Sequence, residues 1–247
     1  MQKFNEDLNY LKKYIKENNL DNNYYEKCYQ ELLTGRPIQY IIGNVDFYGN
    51  IINVNESVLI PRFETELLCE KTINKAKKKF PHKNLDIVDL GTGSGCIAIT
   101  LKKELPSNVD AVDISEYALK VAKENAQNND VTINFINQDM TKLSGKKYDL
   151  IISNPPYIRY DEEIMDIVKN NEPHLALYAK NSGLYFYEEI IKKIPTITND
   201  TFLVALEIGK DQSTDIVDIA NKYLKNVNIT VEKDYQGFDR FIFIERQ

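Results

Sequence analysis

The sequence predicts an α/β fold in which a mainly parallel, seven-stranded sheet is covered by helices on both faces and ends in an antiparallel hairpin. From residue 85 onward, short apolar runs of strand length alternate with longer segments whose apolar residues recur at helical spacing. The chain then closes with two strand-like segments, Asn228–Lys233 and Arg240–Glu245, around a turn that contains Gly237. A small helical region and a β-hairpin are predicted to precede this sheet.

The first 35 residues are predicted to form two short helices within residues 4–33. The first helix is indicated by apolar residues at helical spacing, namely Phe4, Leu8, Leu11 and Ile15. Asp21-Asn22-Asn23 interrupts this pattern, and a second helix over about 24–33 ends before Gly35 and Pro37.

The next segment, Ile38–Val54, alternates apolar stretches with two Gly-Asn turns and therefore predicts a β-hairpin. A helix then opens near Thr65, which is a plausible N-cap with Glu66 in the first turn. Strands are expected at 85–90, 109–113, 132–137, 148–153 and 202–208, and helices at 95–104, 115–128, 184–193 and 213–224. We therefore expect a helical docking region over residues 1–35, a linking hairpin over 36–60 and a main domain over 61–247.

Composition narrows the class of protein. The 247 residues carry a net charge of −6, which argues against a nucleic-acid substrate or an anionic membrane as partner. No apolar run approaches membrane length. The three cysteines are widely spaced, which favours reduced thiols in a cytoplasmic protein. The two histidines, His82 and His174, have no second ligand at metal spacing, so we predict no metal site.

Polar and glycine residues follow the predicted strands at the ends where α/β sheets bind ligands. The strand at 85–90 leads into a glycine-rich turn, whose backbone a ligand can approach closely: Gly91, Thr92, Gly93, Ser94 and Gly95. This turn lacks the last element of the dinucleotide pattern and the lysine of a P-loop, and alone it is weak support for a nucleotide-like ligand.

Two further strand ends carry acidic residues. Asp113 is placed to accept hydrogen bonds from two ribose hydroxyls, although the charge also suits the start of a helix before Ser115. After the third strand, the carboxylate of Asp139 can accept from an adenine amine and the thioether of Met140 can pack on the ring.

The fourth strand end offers hydrogen-bond acceptors to a planar amide or amine nitrogen. The segment is Asn154, Pro155, Pro156 and Tyr157. The prolines have no N–H and favour extended geometry around them, so the Asn154 side-chain carbonyl and the Pro155 main-chain carbonyl can face one NH₂ group. Tyr157 adds a ring that can pack on the plane. The alternative is that a Pro-Pro turn after a strand is purely structural.

The combination resembles the class I S-adenosylmethionine-dependent methyltransferases. Within them, four segments are similar to the HemK-type enzymes, the peptide-chain release-factor glutamine methyltransferases: Leu59–Glu66, Asp89–Gly95, Ser153–Tyr157, and Asn171-Glu172-Pro173 with Ala176-Leu177. The resemblance runs from about residue 35 to the end of the chain, including Asp234 to Arg240. It implies a Rossmann-like methyltransferase sheet with S-adenosylmethionine as cofactor and S-adenosylhomocysteine as product.

The resemblance also implies roles for individual residues. Gly91 to Gly95 and Asp113 would hold the methionine and ribose parts of the cofactor, Asp139 and Met140 would flank the adenine, and Asn154 would border the cofactor. Asn154 to Tyr157 would hold the glutamine of a release factor's Gly-Gly-Gln loop. Arg62, Thr65 and Glu66 would support the cofactor or the wall of the active site. Glu172 is carried over as a supporting residue, although an acidic loop residue is ordinarily solvated.

Two features depart from the family. Met140 stands where an aromatic or larger apolar residue is common, and the helical region before the hairpin is short. Three other functions stay open: glutamine methylation of a ribosomal protein, adenine-N6 methylation of nucleic acid, and a binding module without turnover. Adenine methylation would need a flipped base and a basic cleft, which the acidic composition disfavours.

Overall fold

The computed structural model describes residues 2–246. Within that range, the N-terminal part contains three helices and a hairpin: α1 (Gln2–Glu17), α2 (Asn22–Leu33), α3 (Ile38–Ile42), β1 (Asn44–Phe47) and β2 (Asn50–Asn53). These helices share a small apolar cluster of their own, formed by Leu11, Cys28, Leu32, Ile38 and Ile42. Met1 and Gln247, the outermost residues of the predicted units 1–35 and 61–247, lie outside the described residues.

Among the described residues, seven strands form the main sheet: β3 (Leu85–Leu90), β4 (Ser107–Asp113), β5 (Asn134–Asn137), β6 (Tyr148–Ser153), β7 (Thr198–Glu207), β8 (Asn228–Lys233) and β9 (Asp239–Arg246). Their order is β5-β4-β3-β6-β7-β9-β8. The strands β3 to β7 pair in parallel, and β9 is antiparallel to both β7 and β8. The predicted seven-stranded sheet with an antiparallel C-terminal hairpin is confirmed.

Five helices cover the two faces of the sheet: α4 (Phe63–Lys79), α5 (Cys96–Glu104), α6 (Glu116–Asn128), α8 (Tyr185–Ile197) and α9 (Ser213–Tyr223). A short helix, α7 (Asp166–Asn171), lies in the connection between β6 and α8. Successive strand residues point to opposite faces, so Ile87 packs in the cluster that contains residues of α4, α5 and α6. Its neighbour Val88 packs in the cluster that contains residues of α8 and α9. Burial on both faces accounts for the near-continuous apolar character of these strands.

The predicted hairpin over Ile38–Val54 is wrong in its first part, because residues Ile38–Ile42 form α3 and only Asn44–Asn53 forms the hairpin. Pro37 precedes the helix, and Gly43 ends it with φ +87°. Five residues with a single polar member do not distinguish a helical from an alternating period, so the two terminating residues decide the structure.

Other predicted boundaries shift by a few residues. The strands expected at 109–113, 132–137 and 202–208 begin at Ser107, Asn134 and Thr198, and the helix expected at 184–193 extends to Ile197. The prediction of Thr65 as an N-cap is wrong. The helix α4 begins at Phe63 with Arg62 as the cap residue, and Thr65 is buried in its first turn. The short helix α7 was not expected from the sequence.

Candidate active site

A cavity of about 340 Å³ lies beyond the carboxyl ends of β3, β4 and β6. Seven of the residues predicted from the sequence line it: Gly91, Gly93, Asp113, Asp139, Met140, Asn154 and Pro156. The order of the sheet explains the location, because chain connections run outward in both directions from β3 and leave a crevice at that point. The cavity therefore lies at the edge of the sheet where the strand pattern places these residues.

The glycine-rich turn brings bare backbone to the cavity. Gly93 has φ +54°, and a Cβ at this position would meet no atom within 4 Å, so its main chain borders open space. At Gly91 a Cβ would lie 3.1 Å from the Cε of Met140, which is tighter than ordinary packing. A ligand can therefore approach the main chain at Gly93 without meeting a side chain, whereas the Met140 side chain borders the turn at Gly91.

The other residues of the turn shape it from behind and do not line the cavity. The Thr92 hydroxyl donates to Asp89 Oδ2 at 2.6 Å, and the Ser94 carbonyl accepts from Asn125 Nδ2 at 2.9 Å. A Cβ on Gly95 would stand 3.1 Å from the Cβ of Ala122, so this glycine permits close packing against α6.

Asp113 links the turn to the next strand. Its Oδ2 accepts from the N–H of Gly93 at 2.9 Å and its Oδ1 from the N–H of Ser115 at 2.9 Å. Burial raises the pKa of this carboxyl, and the N–H groups of Ser115 and Gly93 oppose that rise. Each carboxylate oxygen retains a lone pair for a further donor. The carboxylate can therefore support the start of α6 and still bind two hydroxyl groups.

Asp139 and Met140 form a further part of the cavity wall, next to the glycine-rich turn. Asp139 Oδ1 accepts from both the N–H and the hydroxyl of Thr141, at 2.9 and 2.7 Å, and so caps a single 3-10 turn over Met140–Lys142. This turn holds the Met140 thioether against the glycine-rich turn. The wall thus combines an anchored carboxylate with an apolar, polarisable group that suits an aromatic ring.

Asn154 is connected to a buried carboxylate through one hydroxyl. Its Nδ2 donates to Thr65 Oγ1 at 3.0 Å, and Thr65 Oγ1 donates to Glu207 Oε2 at 2.7 Å. Thr65 and Glu207 are only 3 % and 2 % exposed. Burial raises the pKa of Glu207 to about 7, against the opposing effects of the Thr65 hydroxyl and Arg240.

Glu207 was not predicted as a site residue from the sequence. A signal was present, because this glutamate stands in the apolar run Phe202–Ile208 near the carboxyl end of a predicted strand. A charged residue is rarely buried unless it has a partner or a function, so its position could have marked it as a site residue.

Arg62 and Glu172 connect two loops beside the cavity. Arg62 Nη2 bonds Glu172 Oε1 at 2.5 Å, and Glu172 Oε2 accepts from the N–H of Ile60 at 3.1 Å. Glu172 is 5 % exposed, so the expectation of a solvated carboxylate is wrong. Glu66 lies elsewhere, because its carboxyl meets the N–H of Tyr48 in the turn of the β1–β2 hairpin.

Comparison with known proteins identifies the family. The sequence model of the Methyltransferase small domain family matches residues 65–176. A release factor glutamine methyltransferase of Streptococcus pneumoniae is 40 % identical over 225 residues, covering 90 % of this chain and 79 % of that protein. Another, from Bacillus subtilis, is 42 % identical and covers 84 % of this chain and 75 % of that protein. The chain belongs to the release factor glutamine methyltransferase family.

Solved structures of other methyltransferases share the fold of this family member. A methyltransferase from Pyrococcus furiosus superposes with a TM-score of 0.59 at 18 % identity, covering 80 % of this chain and 89 % of the other. A ribosomal protein L11 methylase from Lactobacillus delbrueckii gives 0.56 at 22 % identity, covering 77 % and 81 %. These likenesses support the architecture of the sheet.

As a member of this family, the chain is an S-adenosylmethionine-dependent methyltransferase. The cavity fits that cofactor, because its volume is ordinary for a ligand of this size. Asp113 offers acceptors for a ribose diol, and Met140 offers an apolar surface for adenine. Within residues 2–246 no group of three or more His, Cys, Asp or Glu side chains could hold a metal ion. In the same range no helix is both long and apolar enough to span a membrane.

Proposed function

We propose that this enzyme transfers a methyl group from S-adenosylmethionine to the side-chain amide nitrogen of the glutamine in the Gly-Gly-Gln motif of peptide chain release factors. The observation that carries the proposal is the orientation of Asn154. Its NH₂ group is engaged by Thr65, which leaves its carbonyl oxygen for a ligand in the cavity that Asn154 lines. An acceptor at that position suits a substrate that presents an NH₂ group.

The chemical difficulty of this reaction lies in the nucleophile. The sulfonium of S-adenosylmethionine supplies an already activated methyl group, but the lone pair of an amide nitrogen is delocalised into its carbonyl. The Asn154 side-chain oxygen and the Pro155 carbonyl accept the two amide protons and direct the nitrogen. As the nitrogen becomes more positive, these acceptors bind it more strongly than in the ground state, which lowers the barrier.

Neither proline of the motif has an N–H that could compete for the substrate oxygen or the acceptors. The substrate proton leaves after methyl transfer, because the alkylated amide nitrogen is strongly acidic. The motif therefore needs acceptors and positioning, and a dedicated general base is unnecessary. Tyr157 is not among the residues that line the cavity, and its side chain packs against the cluster that contains residues of α8 and α9. Burial raises the pKa of its hydroxyl, and the charges of Arg240 and Arg62 oppose that rise.

The roles of the other site residues are assigned from their positions in the cavity wall or directly behind it. The Gly91–Gly95 turn and Asp113 hold the methionine and ribose parts of the cofactor, and Asp139 and Met140 flank the adenine. Residues 1–35 form a docking region for the release factor, with a linking segment over 36–60 and the methyltransferase domain over 61–247. The separate apolar cluster of α1, α2 and α3 supports this division.

The test is mass spectrometry of a purified release factor incubated with the enzyme and S-adenosylmethionine. We expect a gain of one methyl group, about 14 Da as the mass of CH₂, on the Gly-Gly-Gln glutamine. Asn154→Ala should reduce turnover by about 10²-fold or more while cofactor affinity changes little. An unmodified release factor, with cofactor binding intact, would reject this substrate and direct the assay to ribosomal protein and nucleic acid. Equal losses of turnover and cofactor affinity in Asn154→Ala would reject the role of Asn154.

A further inference from the structure

The Asn154 side chain can face the cavity in two ways, with its oxygen or with its NH₂ group. Only the oxygen serves an amide substrate, because an NH₂ group would oppose the substrate NH₂ as donor against donor. The two orientations have almost the same shape, so packing does not select between them. Selection must come from the hydrogen-bond partner behind the amide, which is the Thr65 hydroxyl at 3.0 Å.

The Thr65 hydroxyl has one proton, and the protonation state of Glu207 determines which neighbour receives that hydrogen bond. An ionised carboxylate only accepts, so the Thr65 proton is directed to Glu207 Oε2 at 2.7 Å. The Thr65 oxygen is then available to Asn154 as an acceptor alone, and the Asn154 group facing it must be NH₂. All three side chains have lost most of their contact with water, which leaves few competing partners.

We infer that Glu207, acting through the Thr65 hydroxyl, is a positioning residue that turns the Asn154 carbonyl oxygen toward the substrate. The inference rests on the proposed amide methylation for its catalytic meaning, but the orientation itself is a property of the protein without ligands. Neither Thr65 nor Glu207 touches the reacting atoms in this arrangement. Their contribution is the direction of the Asn154 dipole.

The chain of hydrogen bonds from Asn154 through Thr65 to Glu207 is called the relay here, and protonation of Glu207 reverses its direction. A protonated carboxyl can donate to Thr65, whose proton is then free for Asn154 and favours the rotated amide. Burial places the pKa of Glu207 at about 7, so both states are populated near neutral pH. The titratable groups that face Glu207 come from several elements: Arg62 before α4, Glu64 and Cys69 on α4, Cys96 on α5, Tyr157 after β6, Tyr187 on α8 and Arg240 on β9.

The first arm of the test observes the amide directly and needs no substrate or cofactor. In protein labelled with [¹⁵N]asparagine, the Asn154 NH₂ resonances are assigned with Asn154→Ala and followed across about pH 5.5–8.5. We expect them to titrate in the unsubstituted protein and to lose that transition in Glu207→Gln. A pH-independent signal, or the same transition in Glu207→Gln, would overturn the inference.

The second arm compares threonine variants at saturating cofactor. Thr65→Val removes the hydroxyl at nearly constant volume and should lower kcat by about tenfold, the scale of one hydrogen bond. Thr65→Ser keeps the hydroxyl and should stay within about threefold of the unsubstituted enzyme. Thr72→Val is the matched control, because Thr72 is a buried threonine on the same helix whose hydroxyl has no partner among the described residues. It should leave kcat unchanged.

The third arm is the pH profile of kcat. Because ionised Glu207 holds the productive orientation, kcat should fall as pH is lowered through about 7 and this limb should disappear in Glu207→Gln. An unchanged limb, an unaffected Thr65→Val, or a Thr65→Ser as slow as Thr65→Val would each contradict the relay. If Thr65→Val does not fold, the resonance and pH arms with Glu207→Gln still decide. If no release factor is methylated, the proposed function fails, while the resonance arm tests the relay independently.

Discussion

At the scale of single residues, side chains that line the cavity are held in place by hydrogen bonds to other parts of the protein. Asp113 accepts one main-chain N–H at each oxygen, and these two bonds fix the plane of its carboxylate. The remaining lone pairs therefore point in fixed directions before any ligand arrives, so binding requires little reorganisation of this residue.

Asp113→Ala should weaken cofactor binding first. Two charge-assisted hydrogen bonds to the ribose are lost, so we expect the cofactor Kd to rise by at least about tenfold. At saturating cofactor kcat should change little, because Asp113 is assigned to the cofactor ribose and does not contact the substrate nitrogen that receives the methyl group. Isothermal titration calorimetry measures the first effect and steady-state kinetics the second. Asp113→Asn, which keeps one acceptor oxygen, should show an intermediate Kd, and an unchanged Kd in Asp113→Ala would refute the assignment.

The sequence predicted residues whose chemistry is visible from their type and position. Asp113 is the last residue of a strand, and Gly91 and Asn154 each follow a strand directly. The strand pattern alone therefore placed them at one edge of the sheet. Glu207 was not predicted, and Thr65 was expected only as a supporting residue of the site. The bond between them depends on burial and on a contact between residues 142 positions apart. Such pairing is set by the packing of α4 against β7, which the sequence pattern does not specify.

At the scale of elements, the turn before α8 packs closely on the chain after β6. Gly183 has φ +84°, and a Cβ there would lie 2.2 Å from the carbonyl oxygen of Tyr157 and 2.5 Å from Gln212 Nε2. The same two groups bond each other at 3.1 Å. The absence of a side chain at Gly183 thus allows α8, α9 and the Asn154–Tyr157 segment to meet.

Gly183→Ala should therefore lower both stability and turnover. Its matched control is Gly35→Ala, because Gly35 has nearly the same φ of +83° but has no atom within 4 Å of the added Cβ. The control should cost about 1–2 kcal/mol of unfolding free energy, which is the strain of alanine in the left-handed region. Gly183→Ala should cost more and reduce kcat by displacing Tyr157. Urea unfolding and kinetics would measure both, and equal losses of stability in the two variants would contradict the close approach.

The Arg62–Glu172 pair fixes the loop before α4 to the loop after α7. Glu172→Ala removes a buried carboxylate that also accepts from the N–H of Ile60. Arg62 is 33 % exposed and can be rehydrated, so we expect a loss of about 2 kcal/mol, below the usual cost of breaking a fully buried pair. The control is Glu17→Ala, which breaks an exposed pair with Lys13 and should cost about 0.5 kcal/mol or less. Chemical denaturation would compare them, and equal costs would show that burial of Glu172 contributes nothing.

Helices and strands were predicted correctly where the length of the segment and the period of its apolar residues were unambiguous. Short segments were predicted wrongly or not at all. The segments 85–90 and 148–153 match β3 and β6 to the residue, because each is a mainly apolar run that leads directly into a turn containing glycine or proline. The five residues of α3 and the six of α7 are too few for periodicity to identify. Their structure is fixed by terminating residues and by tertiary contacts.

At the scale of the whole molecule, two buried carboxylates oppose the ordinary effect of pH on stability. Burial raises the pKa of Asp89 from 3.8 to about 7, and that of Glu207 from 4.5 to about 7. Asp89 supports the glycine-rich turn through Thr92, and its Oδ1 is buried without a partner among the described residues. Both carboxylates are therefore buried behind residues of the candidate site. Burial of such polar groups costs stability, so packing alone does not explain their presence.

The free energy of unfolding should consequently fall as pH rises from about 4.5 to 7. In this window the native state still binds protons at Asp89 and Glu207, whereas the unfolded state has released them, so each group lowers stability by up to about 1.4 kcal/mol per pH unit. Urea unfolding at several pH values should show greater stability near pH 5 than near pH 8, and Glu207→Gln should reduce the slope. A stability that is constant or rises between pH 5 and 7 would contradict the assignment. Because the relay to Asn154 needs ionised Glu207, kcat and stability should change in opposite directions across this range.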